Sequence, residues 1–151
     1  MLIRPIHMER DFDAVYLLNQ QSFVEYWSAE GLLAALKGGM DCFVLEQSGQ
    51  IVAYVLSQDL LDWVEVMQLA VAVDFRRLGL AIALMQYLIA QKKHFSSITL
   101  EVRDSNLAAQ CLYQQLGFRE TGRRKDYYQP PPGISKYEDA VIMELFKASS
   151  D

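Results

Sequence analysis

One stretch near the centre of the chain limits the possible folds more than any other. Residues 63–73 form a long apolar run with almost no polar break after Glu65, which is typical of a strand buried on both faces. The polar turn Asp74–Arg77 follows, then a helical pattern from about Leu78 to Lys93, then a β-rich run over Ser97–Arg103. This order predicts two parallel strands joined by a crossover helix.

Shorter elements flank this central unit on both sides. Further strands are predicted over Leu2–Ile6, Cys42–Gln47, Ile51–Gln58, Phe118–Tyr128 and Asp139–Phe146. Further helices are predicted after the capping residues Asp11 and Ser28, and a last one is opened by Ser105-Asn106. The proline loop Gln129–Gly133 separates the last two strands. Together the elements predict a mixed α/β fold, with a sheet of about seven strands and four main helices.

Charge is divided unequally along the chain, whose net charge is −5. Residues 1–75 hold 11 acidic and 3 basic side chains, a charge of −8, whereas residues 76–151 hold 8 acidic and 11 basic side chains, a charge of +3. Nucleic-acid affinity comes mainly from Lys and Arg on phosphates, so an acidic chain is not expected to bind nucleic acid. The first half is expected to attract cations and the second half anions.

Cysteine spacing and targeting signals narrow the class of protein further. Cys42 and Cys111 lack the paired spacing of a zinc or redox site, so no metal is expected. The N-terminus, Met1–His7, has no apolar signal segment, and the apolar run Leu78–Ala90 is broken by Gln86 and is far shorter than the ~20 residues that span a bilayer. We therefore expect a cytoplasmic protein without membrane contact. We also expect a monomer or weak dimer.

The turn after the central strand has the composition of an anion-binding site. It reads Arg76-Arg77-Leu78-Gly79-Leu80-Ala81 and opens a helix, whose N-terminus presents unpaired N–H groups and a positive dipole end. Gly79 and Ala81 have little or no side chain, which lets a pyrophosphate approach the backbone. On its own, the pattern R-x-x-G-x-A more often marks an ordinary helix start.

A second motif lies one strand further on and reads Asn106-x-x-Ala109-x-x-Leu112-Tyr113-x-x-Leu116-Gly117-Phe118. The two motifs in this element order resemble the GCN5-related N-acetyltransferase (GNAT) superfamily. Three more stretches make the chain similar to the bacterial ribosomal-protein-alanine N-acetyltransferases of the RimI type. They are Leu100-Glu101-Val102-Arg103-x-Ser105-Asn106, Arg123-Arg124-Lys125-Asp126-Tyr127-Tyr128 and Glu138-Asp139-Ala140-Val141-Ile142-Met143.

The resemblance implies a single N-acetyltransferase domain over residues 1–151, with acetyl-CoA as co-substrate and no metal. It implies that Leu69, Ala70 and Val71 present strand backbone to the acetyl and pantetheine groups, and that Asn106 hydrogen-bonds the CoA arm. The residues implied to hold the pyrophosphate are Arg76, Arg77, Leu78, Gly79, Leu80, Ala81 and Ile82. Glu101 would be the general base and Tyr113 the general acid.

The residue types of that catalytic pair suit the reaction. An α-amine has a pKa near 7.7–8.0 and is about 10% neutral at pH 7, so a carboxylate suffices as its base. Glu101 lies in an otherwise apolar strand, where burial raises a carboxyl pKa, although its alternation with Leu100 and Val102 also fits a solvent-facing residue. Tyr113 can protonate a thiolate, although its pattern also fits a core aromatic beside Leu112.

The expected acceptor follows from the same resemblance, because that family acetylates the N-terminal alanine of a small-subunit ribosomal protein. Contacts to the acceptor are expected from Trp27, Asp62 and Tyr127. A wider set of acidic side chains either lines the path of a cationic acceptor or forms a solvated surface: Glu25, Glu30, Asp59, Asp62 and Glu65. Two alternatives are an acetyltransferase acting on a small amine, free amino acid or lysine, and a non-catalytic acyl-CoA-binding module.

Overall fold

Seven strands and four α-helices form within the residues that the structure, a computed structural model, describes, which are 1–130 and 132–147. In chain order they are β1 (Leu2–Pro5), α1 (Met8–Ser22), α2 (Ala29–Lys37), β2 (Asp41–Gln47), β3 (Gln50–Asp59), β4 (Trp63–Val71), α3 (Leu80–Gln91), β5 (Ser97–Arg103), α4 (Leu107–Gln115), β6 (Arg119–Tyr128) and β7 (Glu138–Phe146). Pro131, in the predicted proline loop, and residues 148–151 lie outside the described residues. The predicted mixed α/β fold is confirmed.

The strands form one sheet in the order β1-β2-β3-β4-β5-β7-β6. Neighbouring strands are antiparallel except for β4 and β5, which run parallel on either side of α3 in the chain. This parallel pair is the predicted crossover unit. Because β7 inserts between β5 and β6, the basic strand β6 lies at an edge of the sheet. In the described part of the chain, no helix is both long and apolar enough to cross a membrane.

Helices cover both faces of the sheet, but they cover them unequally. On one face, α3 and α4 pack over a core that includes the fully buried Leu84 and Leu88. On the other face, Val15 of α1 and Leu32 of α2 are fully buried in a core drawn from β2, β3 and β4. Full burial of each such side chain contributes about 1.5–3 kcal/mol to stability. On this second face, Glu101 of β5 is only half-buried, which leaves room for a site.

β4 and β5 separate halfway along their length. Their ladder ends at the pair Val66–Leu100, although β4 continues to Val71 and β5 to Arg103. The register between β3 and β4 shifts where Met67 is the extra residue of β4. Such a β-bulge bends the strand that carries it. The bulge therefore coincides with the point where the end of β4 leaves β5 and a gap opens between the two strands.

The beginning of α1 differs from the prediction. The cap is His7, whose Nδ1 accepts a hydrogen bond from the Arg10 N–H at 3.3 Å, and the helix begins at Met8 rather than after Asp11. Asp11 is buried within the first turn, where its carboxylate pairs with Arg4 at 2.6 Å. The Arg4 guanidinium and the His7 N–H, at 2.7 Å, both bond the Asp11 carboxylate. Because its polar atoms have these partners, Asp11 can occupy a core-facing position of the helix.

The ends of the central unit also differ from the prediction. β4 ends at Val71 rather than at residue 73, and its positions alternate between buried and half-buried instead of being buried on both faces. α3 begins at Leu80 rather than at Leu78, because Arg77 and Gly79 both adopt left-handed backbone conformations, with φ of 64° and 77°. Left-handed residues cannot continue a right-handed helix. The turn is consequently longer than the sequence pattern predicted.

Candidate active site

The end of β4 presents backbone polar groups to the gap. The Ala72 N–H donates to Val52 O on β3 at 2.8 Å. Residues in an antiparallel ladder alternate between bonding the partner strand and facing away from it. Leu69 and Val71 therefore direct their N–H and C=O groups away from β3, toward the gap that β5 has left. The Val71 carbonyl accepts a hydrogen bond from Arg76 Nε at 3.0 Å, whereas the side chain of Ala70 is buried.

The turn over residues 76–82, called here the α3 turn, joins the end of β4 to α3. The Ala83 N–H bonds Gly79 O at 3.1 Å and closes the first helical turn, while no side chain caps the helix N-terminus. The N–H groups at the start of a helix have no intrahelical partner, so they are free to bind an anion. A side-chain carbon placed on Gly79 would meet no atom within 4 Å, so the space in front of the turn is open. Arg76 and Arg77 are exposed beside it.

Asn106 lies on the other side of the gap, between the end of β5 at Arg103 and the start of α4 at Leu107. Its Oδ1 accepts a hydrogen bond from the Ala109 N–H at 3.1 Å, which makes it the N-cap of the helix. The Asn106 side chain is exposed, and its amide nitrogen has no hydrogen-bond partner within the described part of the chain. The cap therefore fixes the orientation of the amide and directs a spare donor into solvent.

Glu101 occupies the face of β5 opposite the α3–α4 core. Leu100 and Val102 on either side of it are buried, and its own side chain is 18% exposed. Burial is the main reason that the pKa of Glu101 is raised, and the charge of Glu65 raises it further. Arg124 opposes these effects, because its Nε lies 3.0 Å from Glu101 Oε1. The net result is a carboxyl group that is more basic than one in water.

Tyr113 enters the core from α4. The residue is 8% exposed, and its ring packs against Phe118 with 5.7 Å between ring centres. Burial raises the pKa of the Tyr113 phenol to about 12, so it stays protonated at neutral pH. Within residues 1–130 and 132–147, no group forms a hydrogen bond with the Tyr113 hydroxyl. The fully enclosed polar side-chain atoms that lack a partner do not include this hydroxyl oxygen. The phenol is therefore an available proton donor in an apolar setting.

Two loops meet over the end of β5. Glu25, in the loop between α1 and α2, accepts a hydrogen bond from the Gln129 N–H at 2.8 Å at the start of the β6–β7 loop. Arg103 binds the same segment, because its Nη1 donates to Gln129 O at 3.4 Å and its Nη2 lies 3.6 Å from Glu25 Oε1. We call these contacts of Glu25, Arg103 and Gln129 the loop bridge. The Arg103 guanidinium also lies 4.5 Å from the centre of the Tyr128 ring.

Of the three residues expected at the acceptor, Asp62 lies far from the gap. Trp27 lies in the α1–α2 loop and is half-buried. Asp62 precedes β4, at the end opposite Leu69, so about 20 Å of strand separates these two residues. Tyr127 is 48% exposed, whereas Tyr128 stands next to Arg103, and burial and the charge of Glu101 raise the pKa of Tyr128 to about 12.

The acidic side chains of the first half are likewise dispersed. Asp59 forms an ion pair with Lys92 at 2.9 Å, so its carboxylate already has a partner. Glu25 belongs to the loop bridge, and Glu65 is close enough to Glu101 to raise its pKa. Only part of the charge of −8 therefore faces the gap.

Sequence reasoning missed the polar residues that hold this arrangement together: Asn19, Gln68, Arg103 and Tyr128. Two of them left a signal. Asn19 lies one helical turn after Val15, on the face of α1 that enters the core, and Gln68 interrupts the apolar run of β4. A polar residue at a core position needs a buried partner. Arg103 and Tyr128 left no such signal, because their partners come from distant loops.

Comparison with known proteins identifies the class that this fold and site define. The sequence model of the acetyltransferase (GNAT) family matches residues 8–118. The chain belongs to the GNAT acetyltransferase family and is an acetyl-CoA-dependent N-acetyltransferase.

Particular relatives narrow the comparison. The chain is 38% identical over 138 residues to the ribosomal protein bS18-alanine N-acetyltransferase of Escherichia coli K12, covering 89% of this chain and 90% of that one. The crystal structure of the ribosomal-protein-S18-alanine N-acetyltransferase from Escherichia coli superposes with a TM-score of 0.90 at 33% identity, covering 99% and 96% of the two chains. A GNAT structure from Elizabethkingia anophelis with acetyl-CoA bound has a TM-score of 0.80 at 18% identity, covers 97% of each chain, and shares the fold.

Proposed function

We propose that this protein transfers the acetyl group of acetyl-CoA to the N-terminal α-amine of a protein. Its relatives are named as alanine N-acetyltransferases of ribosomal protein bS18. The observation that carries the proposal is the gap between β4 and β5. It has a half-buried carboxylate, Glu101, on one side and an open anion-binding turn beside it. The N-terminal alanine of a small-subunit ribosomal protein is the proposed acceptor.

The cofactor is proposed to bind along β4 and the α3 turn. The free N–H groups at the start of α3, with Arg76 and Arg77, suit a pyrophosphate, and the open space at Gly79 admits it. The backbone of Leu69 and Val71 would bond the pantetheine arm and polarise the thioester carbonyl, since a backbone N–H can be pre-aimed at the oxygen that gains charge. Other proposed contacts come from Ala70, Leu78, Leu80, Ala81, Ile82 and the spare amide donor of Asn106.

Glu101 is proposed as the general base. The amine nitrogen attacks the thioester carbonyl carbon, and its proton passes to the Glu101 carboxylate directly or through one water. Burial has raised the pKa of Glu101 toward that of an α-amine, which reduces the free-energy cost of this transfer. A lysine side chain, with a pKa near 10.4, is a more difficult substrate for the same carboxylate.

Tyr113 is proposed as the general acid. The carbon–sulfur bond breaks, the phenol proton passes to the leaving sulfur, and solvent then reprotonates the phenolate. A thiol has a pKa of about 8.5 in water, well below the value of about 12 at Tyr113. The apolar surroundings that raise the phenol pKa also raise that of a sulfur beside it, so the two values move in the same direction.

The acceptor is proposed to reach Glu101 beside the loop bridge. Tyr128 packs against Arg103 of that bridge, and Trp27 lies in the same loop as Glu25. Glu25 supplies a carboxylate that attracts a cationic chain end. Asp62 and Tyr127 stay candidates for the outer part of the acceptor. Asp62 would have to meet a residue well beyond the N-terminal one, because it lies near the other end of β4.

A pair of peptides tests the function. One begins with Ala-Arg and has a free N-terminus, and the matched control has the same sequence with a blocked N-terminus and one internal lysine. We expect acetyl transfer and stoichiometric thiol release with the first peptide alone. Faster transfer to the blocked peptide would contradict the proposal and indicate lysine acetylation. If neither peptide causes thiol release, the protein does not catalyse acetyl transfer to peptides.

A further inference from the structure

A buried chain of side-chain amides links the α1–α2 loop to β4. Asn19 of α1 and Tyr54 of β3 are fully buried, and Gln68 of β4 is 5% exposed. The Tyr54 hydroxyl donates to Gln68 Oε1 at 2.7 Å, and Gln68 Nε2 donates to Asn19 Oδ1 at 3.0 Å. Neither the cofactor side nor the proposed proton transfers use these groups.

This hydrogen-bond network ends on the backbone of Trp27, in the loop between α1 and α2. Asn19 Oδ1 also accepts from the Trp27 N–H at 3.1 Å, and Asn19 Nδ2 donates to Trp27 O at 2.7 Å. One amide thus holds both polar groups of the Trp27 backbone. Reversing the amide of Asn19 or of Gln68 would set like groups against each other, so the network accepts only one orientation of each side chain.

The position of Gln68 connects this network with the gap. Gln68 directly follows the bulge residue Met67, and the next residue, Leu69, turns its backbone polar groups toward the gap. The same side chain that fixes this part of β4 therefore also fixes, through Asn19, the loop that carries Glu25 and Trp27. Buried amides in a fully bonded network are rigid, since any displacement leaves a donor or acceptor unpaired away from water.

We propose that Asn19 and Gln68 are positioning residues that set the distance between the acceptor-side loop and the acetyl-presenting end of β4. This inference rests on the proposed function, but it concerns loop placement rather than chemistry. Removing either amide should release Trp27 from β4 and weaken the handling of the acceptor. Acetyl-CoA binding should change little, because its proposed contacts are the α3 turn and the backbone of β4, which the ladder to β3 holds in place without these side chains.

The test uses near-isosteric replacements in the full chain. Asn19→Leu and Gln68→Met should each lower kcat/KM for the acceptor peptide by about ten- to a hundred-fold, the scale of a misplacement of about 1 Å. The Kd for acetyl-CoA should stay within about twofold of the wild-type value, and the double variant should lose little more than either single one, because the two amides act as one unit. Gln68→Glu should retain more activity, since a protonated carboxyl can accept from Tyr54 and donate to Asn19.

A matched control separates positioning from stability. Lys92 is also a buried polar residue, 6% exposed and paired with Asp59, but it lies at the end of α3 away from the α3 turn. Lys92→Met should lower the melting temperature without changing the acceptor KM. If Asn19→Leu and Gln68→Met behave like this control, the positioning role is refuted. If either variant fails to fold, Tyr54→Phe removes one bond of the network and should give an intermediate loss.

A second readout does not depend on activity. The chain has two tryptophans, so in a Trp63→Phe background the fluorescence reports Trp27 alone. Loss of either amide should shift the emission of Trp27 to longer wavelength and increase its quenching by acrylamide. If the wild-type protein acetylates no N-terminal peptide, the proposed function fails, yet this measurement still decides the placement of the loop. Unchanged emission in both variants would overturn the inference.

Discussion

The α3 turn and the loop bridge lie near the same gap and are built from different kinds of contact. The α3 turn uses consecutive residues and backbone N–H groups, so Gly79 and its neighbours form a recognisable sequence pattern. The loop bridge uses single side chains from distant parts of the chain, since Glu25 meets Gln129, which is 104 residues away. A backbone site is thus visible as a motif, whereas a side-chain site forms only when the fold brings its parts together.

The α3 turn and the loop bridge also differ in how specific their proposed functions are. The α3 turn is a general device for anions, because any helix start offers the same donors. The loop bridge and the amides of Asn19 and Gln68 are specific to this arrangement of loops. Variants on the two sides should therefore separate into effects on the cofactor and effects on catalysis or the acceptor, and the following four predictions test that separation in order of decreasing effect.

The largest effect is expected at Glu101. Glu101→Gln removes the base while keeping size and polarity, so kcat should fall by about 10²–10⁴-fold, the usual contribution of general acid–base catalysis. The Kd for acetyl-CoA, measured by calorimetry, should not change. As a control, Glu144→Gln alters a half-buried carboxyl of β7 in the same way and should retain turnover. If Glu101→Gln turns over as fast as the wild type, Glu101 is not the general base.

Loss of the phenol at Tyr113 is expected to be the next largest effect. Tyr113→Phe keeps the packed ring and removes the proton donor, so kcat should fall by about 10²-fold in single-turnover measurements. Tyr87→Phe, in a half-buried tyrosine that packs against Phe43 from α3, provides the matched control and should leave kcat unchanged. A thioester with a better leaving group should restore part of the loss only if Tyr113 protonates the sulfur.

A smaller effect, confined to the cofactor, is expected on the α3 turn. Arg77→Ala removes one exposed charge and should raise the Kd for acetyl-CoA by about three- to tenfold at low salt, with less effect at high salt because exposed charges are screened. Lys93→Ala removes the same charge beyond the other end of the helix, about 20 Å away, and should not change the Kd. A change in acceptor KM without a change in Kd would break the proposed separation of the two sides.

The smallest effect is a shift in pH dependence at Arg124. The pKa of Glu101 is raised, and activity should fall as the pH drops through that value, because the base must be ionised. The charge of Arg124 works against the rise, so Arg124→Gln should raise the pKa of Glu101 further and move the acid limb of kcat/KM to higher pH. The shift should be small, because the Arg124 side chain is half-exposed and solvent screens its charge. Lys125→Gln makes the same charge change on the next residue and should leave the profile in place.

Much of the fold was predictable because its signals are local. The run from β4 through α3 to β5 and the hairpin strands β2 and β3 appear as alternating or apolar segments bounded by turn residues. The boundaries were less predictable. α1 begins at Met8 because Arg4 on β1 takes the carboxylate of Asp11, and α3 begins at Leu80 because Arg77 adopts a left-handed conformation. Both results depend on backbone or partners outside the predicted segment.

The proposed base and acid came from the resemblance to the RimI-type family, whereas the sequence by itself determined the class of fold and the proposed anion-binding turn. These features are carried by residues close together in the chain, where periodicity, glycine placement and helix-start chemistry apply directly. Only the tertiary structure decided that a bulge at Met67 opens the gap, that Glu101 is half-buried beside Arg124, and that Asn19 and Gln68 tie a loop to β4. The physical reason is that burial and hydrogen-bond partners are properties of packing between distant segments, which no local pattern specifies.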